Sequence, residues 1–171
     1  MTVAALTPEL DASRDRVFAS IRGLTEEQFR HVPAGETWCL ATHLAHLLRV
    51  ERAFLAALAG AGDVPYMPKA RAENDDDPAL TQHLAVPQIV HGMLAARRDL
   101  VAALSRRDEA RPAIRHELFG EMTPEQIAAK AADHEREHAA DVERLAAAAP
   151  SVRGGREAII PLTQSGRGGG P

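Results

Sequence analysis

The residues with the clearest chemical potential are two histidines four positions apart near the end of the chain. His134 and His138 enclose the sequence His-Glu-Arg-Glu-His, which matches the H-E-x-x-H signature of many zinc proteases. Residues at this spacing differ by only about 40° in direction on an α-helix, so both imidazoles share one face. Because apolar residues recur on the same face, we expect both rings to point into the protein, where neutral imidazoles can bind one metal ion.

A metal site built on this pair needs a further ligand from another helix, and the segment THLAHL offers two histidines. His43 is nearer the centre of the apolar stripe of that helix, and His46 is nearer its edge. Because the edge of a stripe still faces a neighbouring helix, periodicity alone leaves both residues open. The remaining histidines lie in turns or outside both motifs, and we interpret them as structural or surface residues: His31, His83, His91 and His116.

The protease interpretation fails because the residues after the motif do not supply a third zinc ligand. The extended signature requires glycine and histidine at two later positions, where this chain has Asp141 and Arg144. The only later acid that could serve is Glu157, which follows a proline and a glycine pair. A di-iron bundle is excluded similarly, since it needs a second Glu-x-x-His and only the one ending at His138 is present.

Long amphipathic segments must position these histidines. The spacing of apolar residues and the capping signals predict one helix from about residue 8 to 23, opened by Thr7-Pro8, and a short turn of helix after Thr25. Three further long helices follow. They are centred on the Leu40–Leu58 face, on residues 87–104, and on the segment from Pro124 to the alanines before Pro150.

No alternating strand pattern separates these helices, so the predicted fold is all-α, a four-helix bundle with a long connection over residues 61–86. With 171 residues, we expect one domain over residues 1–150 and a glycine-rich C-terminal tail over 151–171. The formal net charge of -4 gives no reason to expect nucleic acid.

The sequence also indicates the cellular compartment and the role of the cysteine. The N-terminus has no basic segment before its apolar run, and no stretch is long enough for a membrane span, which favours a cytoplasmic protein without membrane contacts. Cys39 is the single cysteine and has no base beside it in the sequence, so we interpret it as a buried thiol rather than a nucleophile. The composition, rich in alanine and arginine, fits a bacterial source.

Two stretches of the chain resemble the DinB-like, or YfiT-like, family of four-helix-bundle metalloproteins. TWCLATHLAHLLRVE resembles the family's tryptophan, short helical run, His-Leu and glutamate, and MTPEQIAAKAADHEREHAADVERL resembles its closing H-x-x-x-H helix. The resemblance covers most of residues 8–149. It implies three metal ligands, His46, His134 and His138, with His43 as the alternative first ligand.

The resemblance also implies residues around the ligands. Glu51 occupies the place of an acidic residue often found after the first ligand, and Asp141 stands where the family commonly has glutamine. Together with Glu135, these residues are candidates to orient a ligand's second ring nitrogen, and the catalytic residues stay unknown. Zinc is the first expectation for the divalent metal, and nickel, iron and manganese also accept imidazole.

Relatives of this family, by the same resemblance, include enzymes that add bacillithiol, mycothiol or glutathione to electrophiles, and others that isomerise maleylpyruvate with a thiol cofactor. The resemblance therefore implies a metal-dependent S-transferase in detoxification, with a low-molecular-weight thiol as cosubstrate and a small-molecule electrophile. Bundles with spare apolar helix faces often dimerise, which favours a homodimer. Two alternatives stay open: a metal-dependent hydrolase that uses the same site, and a non-catalytic metal-binding bundle in stress response or protein interaction.

Overall fold

A computed structural model describes residues 2–68 and 83–151 of the chain. In these ranges the chain forms four long helices, one short helix and three short strands. The elements in chain order are α1 Val3–Ile21, α2 Glu26–Arg30, α3 Leu40–Leu58, β1 Tyr66–Met67, α4 Val86–Leu104, β2 Ile114–His116, β3 Gly120–Met122 and α5 Pro124–Ala148. The predicted all-α four-helix bundle is confirmed. The C-terminal tail beyond residue 151 and the middle of the predicted long connection lie outside the described residues.

The start of α1 differs from the prediction. Thr7-Pro8 is not its N-terminus: the helix begins five residues earlier at Val3, with Thr2 as the N-cap, and Pro8 lies inside it. The Thr2 hydroxyl accepts a hydrogen bond from the Ala5 amide at 3.1 Å. Burial of Val3 and Leu6 stabilises this additional turn and offsets the backbone hydrogen bond that a proline cannot donate.

The other helix boundaries follow local sequence signals. Thr25 and Thr123 each form a capping box, in which the threonine hydroxyl accepts from the backbone three residues later and a glutamine side chain returns the bond. These boxes begin α2 and α5 where the sequence predicts. Gly92 on α4 allows a close approach to α3, because a Cβ there would lie 2.9 Å from a terminal carbon of Leu48.

A small sheet that the sequence analysis did not predict closes one end of the bundle. β1 pairs with β2 in parallel and β2 pairs with β3 in an antiparallel register, with Arg115 opposite both Tyr66 and Glu121. Strands of two or three residues are too short to show alternation, which explains the omission. Ile114 and Met122 turn inward and join the apolar core between the helices.

The core of the bundle consists of two apolar clusters. One contains Leu10, Phe54 and Leu100, and the other contains Val17, Leu44 and Met93. Both clusters draw residues from all four long helices. Among the residues that the structure describes, no helix is long and apolar enough to cross a membrane.

A buried charge network connects the four long helices. It contains Arg14 of α1, Glu51 of α3, Arg97 of α4 and Glu135 of α5, all of them buried, with Glu135 only 1% exposed. Arg97 binds Glu51 and Glu135 at 2.6 Å each, and Arg14 lies 3.0 Å from Glu51 and also binds Glu135. Two positive and two negative groups cancel, as a low-dielectric interior requires.

Further hydrogen bonds complete the network. The Ser13 hydroxyl donates to Glu135 at 2.7 Å, and the guanidinium groups of Arg14 and Arg97 donate to the backbone carbonyls of Met93 and Leu10. Burial acts to lower the pKa of Arg97, but the negative charges of Glu51 and Glu135 outweigh it and raise that pKa.

The substitution Glu135→Ala tests the energetic weight of this network. It would leave two guanidinium groups buried with one carboxylate between them, so we expect the free energy of unfolding to fall by about 3–5 kcal/mol. Urea denaturation followed by circular dichroism measures the change.

Glu143→Ala is the matched control for this substitution. Glu143 lies on the same helix and binds Arg16 of α1 at 2.6 and 2.8 Å, but this pair is exposed. We expect its loss to cost less than about 1 kcal/mol. Equal losses for the two variants would show that the buried network has no special weight.

Candidate metal centre

The two histidines of the H-E-x-x-H sequence lie on α5 and face α3. His134 and His138 are one helical turn apart, and their ring centroids are separated by 4.7 Å. Both rings contact His46 of α3, with centroid separations of 5.1 Å for His134 and 4.9 Å for His138. The pair therefore points into the bundle, as the spacing of apolar residues on α5 predicts.

Helix α3 contributes both of its histidines to this region. His43 and His46 are buried, at 7% and 5% exposure, and each pairs with a different residue of α5. The Nε2 atoms of His46 and His134 are 3.2 Å apart, and the Nδ1 atoms of His43 and His138 are 3.1 Å apart. Both histidines that periodicity leaves open as the first ligand therefore contact α5, and each does so through its own partner.

The spacing of these nitrogens fits metal coordination. Two imidazole nitrogens on one tetrahedral zinc ion lie about 3.3 Å apart, given zinc–nitrogen bonds of about 2.05 Å. One ligand atom from each of His46, His134 and His138 can be chosen so that all three lie within 4.8 Å of one another. Small side-chain rotations would bring this trio into a coordination sphere, so the residues fit a divalent ion.

Trp38 covers one side of the histidine cluster. Its ring centroid lies 5.0 Å from that of His43 and 5.1 Å from that of His46, and the ring is nearly parallel to His138 at 6.3 Å. Because Trp38 immediately precedes Cys39, the N-cap of α3, the start of this helix places the indole against the imidazoles. The indole shields the rings from water on this side.

Arg49 contacts the other ring nitrogen of His46. Its guanidinium lies 3.2 Å from His46 Nδ1, and because arginine can only donate, Nδ1 accepts and the ring proton of a neutral His46 sits on Nε2. Coordination through Nε2 therefore requires this proton to leave and the guanidinium to shift. The three-residue spacing of His46 and Arg49 on one helix face was a signal that the sequence analysis missed.

Burial favours the neutral state that metal binding requires. Burial lowers the pKa of His43 to about 4 and that of His134 to about 3, and repulsion from His138 adds to both shifts. At neutral pH both residues are therefore uncharged and have a nitrogen lone pair available for a cation.

Two of the three residues proposed to orient a ligand belong to the buried charge network. Glu51 and Glu135 bind Arg14 and Arg97, and the second carboxylate oxygen of Glu51 is buried without a hydrogen-bond partner. The reason is helical geometry: Glu135 is turned about 100° from His134, away from the ligand face and toward the arginines. The sequence signal for this network, a charged residue inside an apolar stripe at positions 14 and 97, was missed.

Asp141 lies on the same side of α5 as His138. One of its oxygens and one nitrogen each of His43 and His138 lie within 4.8 Å of one another. Asp141 also accepts a hydrogen bond from Arg144 at 3.0 Å, and Arg144 binds Glu36.

The histidines predicted to be structural or surface residues include His116. It is buried in β2, and its ring accepts a hydrogen bond from the Leu118 amide.

Comparison with known proteins agrees with the fold. A family model described as the DinB superfamily matches residues 9–142, a range that includes all four clustered histidines. No curated protein sequence matches the chain.

Removal of single histidines tests the trio as a metal site. We expect wild-type protein, freed of any affinity tag, to retain about one tightly bound divalent ion per chain after gel filtration. His46→Ala and His134→Ala should lose this ion, and His91→Ala, at an exposed position of α4, should keep it. Elemental analysis gives the stoichiometry, and an ion retained by His46→Ala would contradict the assignment.

The lowered histidine pKa values also predict a pH dependence for the metal-free protein. In the unfolded chain these histidines have a pKa of about 6.5, so the unfolded state binds protons that folded His43 and His134 do not. Stability is therefore greatest above pH 6.5 and falls as the pH drops toward 5, by up to about 1.4 kcal/mol per pH unit for each residue. Urea denaturation with a chelator at pH 7, 6 and 5 measures this slope. His134→Gln should reduce it, and an unchanged slope would contradict the expectation.

Proposed function

Because the chain belongs to the DinB superfamily, we propose that it holds a divalent metal ion on His46, His134 and His138 and transfers a low-molecular-weight thiol to an electrophile. Zinc is the first candidate for the ion, and nickel, iron and manganese accept the same ligands.

The observation that carries this proposal is the convergence of three imidazoles without a carboxylate. His46 comes from α3, and His134 and His138 come from α5, with their ligand atoms within 4.8 Å of one another. Neutral ligands leave the charge of a divalent ion uncompensated, and three of them leave a coordination position for an anionic partner. A thiolate matches this requirement in charge and in softness.

A bound ion would lower the pKa of a thiol and favour the thiolate, which is the nucleophilic form. The chain itself supplies the surroundings. Trp38 excludes water beside His43 and His46, and Arg49 places a positive charge next to His46. At the rim, Arg144 is held by Glu36 and Asp141. The indole of Trp38 suits an apolar substituent and the Arg49 guanidinium suits an anionic group, whereas the charge of Arg144 is neutralised by its two carboxylates.

The fold supports the precision that such a site needs. Both ligand-bearing helices are fixed by the buried network through Glu51 on α3 and Glu135 on α5. Glu135 is the immediate neighbour of His134, so the network and the site share the same helical turn. Catalytic side chains on rigid helices keep their geometry better than side chains on loops.

An assay of thiol consumption tests the reaction. The metal-loaded protein should accelerate the conjugation of glutathione, mycothiol or bacillithiol to an aryl halide or bimane electrophile, and the chelated protein should not. Because only about 3% of a thiol with an ordinary pKa is ionised at pH 7, we expect His134→Ala to slow the reaction by at least about thirtyfold.

Glu143→Gln is the control for this assay, because it changes an exposed residue of the same helix. It should retain the full rate. Metal-dependent ester hydrolysis without thiol consumption would instead support a hydrolase that uses the same site. Metal binding with neither reaction would support the non-catalytic bundle.

Assembly and location belong to the same proposal. A homodimer in the cytoplasm, with a small-molecule substrate and neither nucleic acid nor membrane as partner, stays a prediction from the sequence and the family resemblance. Analytical ultracentrifugation of the tag-free protein measures the oligomeric state directly.

A further inference from the structure

We propose a second divalent-cation site, formed by His43, His138 and Asp141, next to the three-histidine site and sharing His138 with it. This inference rests on the proposed metal centre, because it treats the four histidines as two coordination spheres rather than one. It gives a role to His43 and Asp141, which the three-histidine site does not use.

The first argument is the geometry of the pair. His43 Nδ1 and His138 Nδ1 are 3.1 Å apart, close to the spacing of about 3.3 Å expected for two imidazole nitrogens on one tetrahedral ion. Asp141 follows His138 by three residues, so its carboxylate lies one turn along the same face of α5. One ligand atom from each of the three residues lies within 4.8 Å of the others.

The second argument is that the two sites use different atoms. His46 and His134 face each other through Nε2, whereas His43 and His138 face each other through Nδ1. His138 directs Nδ1 toward His43. A neutral imidazole has one nitrogen lone pair, so His138 can bind both ions only as a bridging imidazolate, and the second ion must displace the remaining ring proton of His138 to solvent.

The third argument concerns charge and access. Two imidazoles and one carboxylate are ligands that zinc, manganese and ferrous iron accept. The carboxylate partly compensates a second cation placed close to the first. Asp141 is half exposed, and one of its carboxylate oxygens accepts a hydrogen bond from Arg144. This hydrogen bond must break before an incoming ion can bind that oxygen. We therefore expect the second ion to bind after the first, more weakly, and from the solvent side.

Calorimetric titration of the tag-free, metal-free full chain with zinc tests the second site, with cobalt absorption spectra as an independent readout of each coordination sphere. Wild type should bind about two ions per chain in two phases. Asp141→Asn and His43→Gln should lose the weaker phase and keep the tighter one.

Asp133→Asn is the matched control. Asp133 is an exposed acid on the same helix and binds Arg136 three residues later, as Asp141 binds Arg144. It should retain both phases. Because the side chain of Asp141 is 45% exposed, its substitution leaves the core intact, and circular dichroism verifies the fold.

The outcomes separate the two proposals. One ion in wild type and in Asp141→Asn, with identical cobalt spectra, would overturn the second site and leave the three-histidine site standing. Loss of the tighter phase in His43→Gln would overturn the division into two sites. No binding in any variant would overturn the proposed function as well.

Discussion

Four buried charges, one from each long helix, form the interaction on which the rest of this structure depends. Arg14, Glu51, Arg97 and Glu135 neutralise one another where no water can solvate them. Removing one partner of a buried pair costs far more than losing a surface pair, because the remaining charge has no solvent. The network therefore restricts each helix to the rotation that keeps its charged residue paired, whereas apolar packing alone tolerates small rotations.

This constraint determines what the H-E-x-x-H sequence does in the protein. In a zinc protease the glutamate of that motif serves the metal-bound water. Here Glu135 is committed to Arg14, Arg97 and Ser13, and successive residues of a helix point about 100° apart, so His134 and His138 face α3. The same three residues thus serve two functions: the glutamate orients the helix, and the histidines form the candidate site.

The candidate site combines buried imidazoles with charged groups at its margin. His43 and His134 are held neutral by burial, which suits metal binding, and Trp38 covers one side of the cluster. Arg49 and Arg144 lie at the margin and contact His46 and Asp141. Each guanidinium must shift for its neighbour to bind a cation, which couples metal binding to rearrangement at the rim.

Local signals in the sequence determine most of the helices. The capping boxes at Thr25 and Thr123 and the apolar periodicity around Leu44 act within a few residues, so they can be recognised from the sequence alone. The start of α1 and the three-stranded sheet cannot be predicted in this way, because Val3 and Ile114 are stabilised by contacts that only the folded chain provides.

The features of the histidine site likewise separate into those predictable from the sequence and those that depend on the fold. The four-residue spacing of His134 and His138 places them on one face by helical geometry alone, and the family resemblance adds His46. Three further features depend on how α3 and α5 are rotated against each other. These are the ring nitrogens that contact one another, the pairing of His43 with His138, and the binding of Glu51 and Glu135 to arginines rather than imidazoles. Only the tertiary structure decides that rotation, because it results from pairing buried charges between residues distant in sequence.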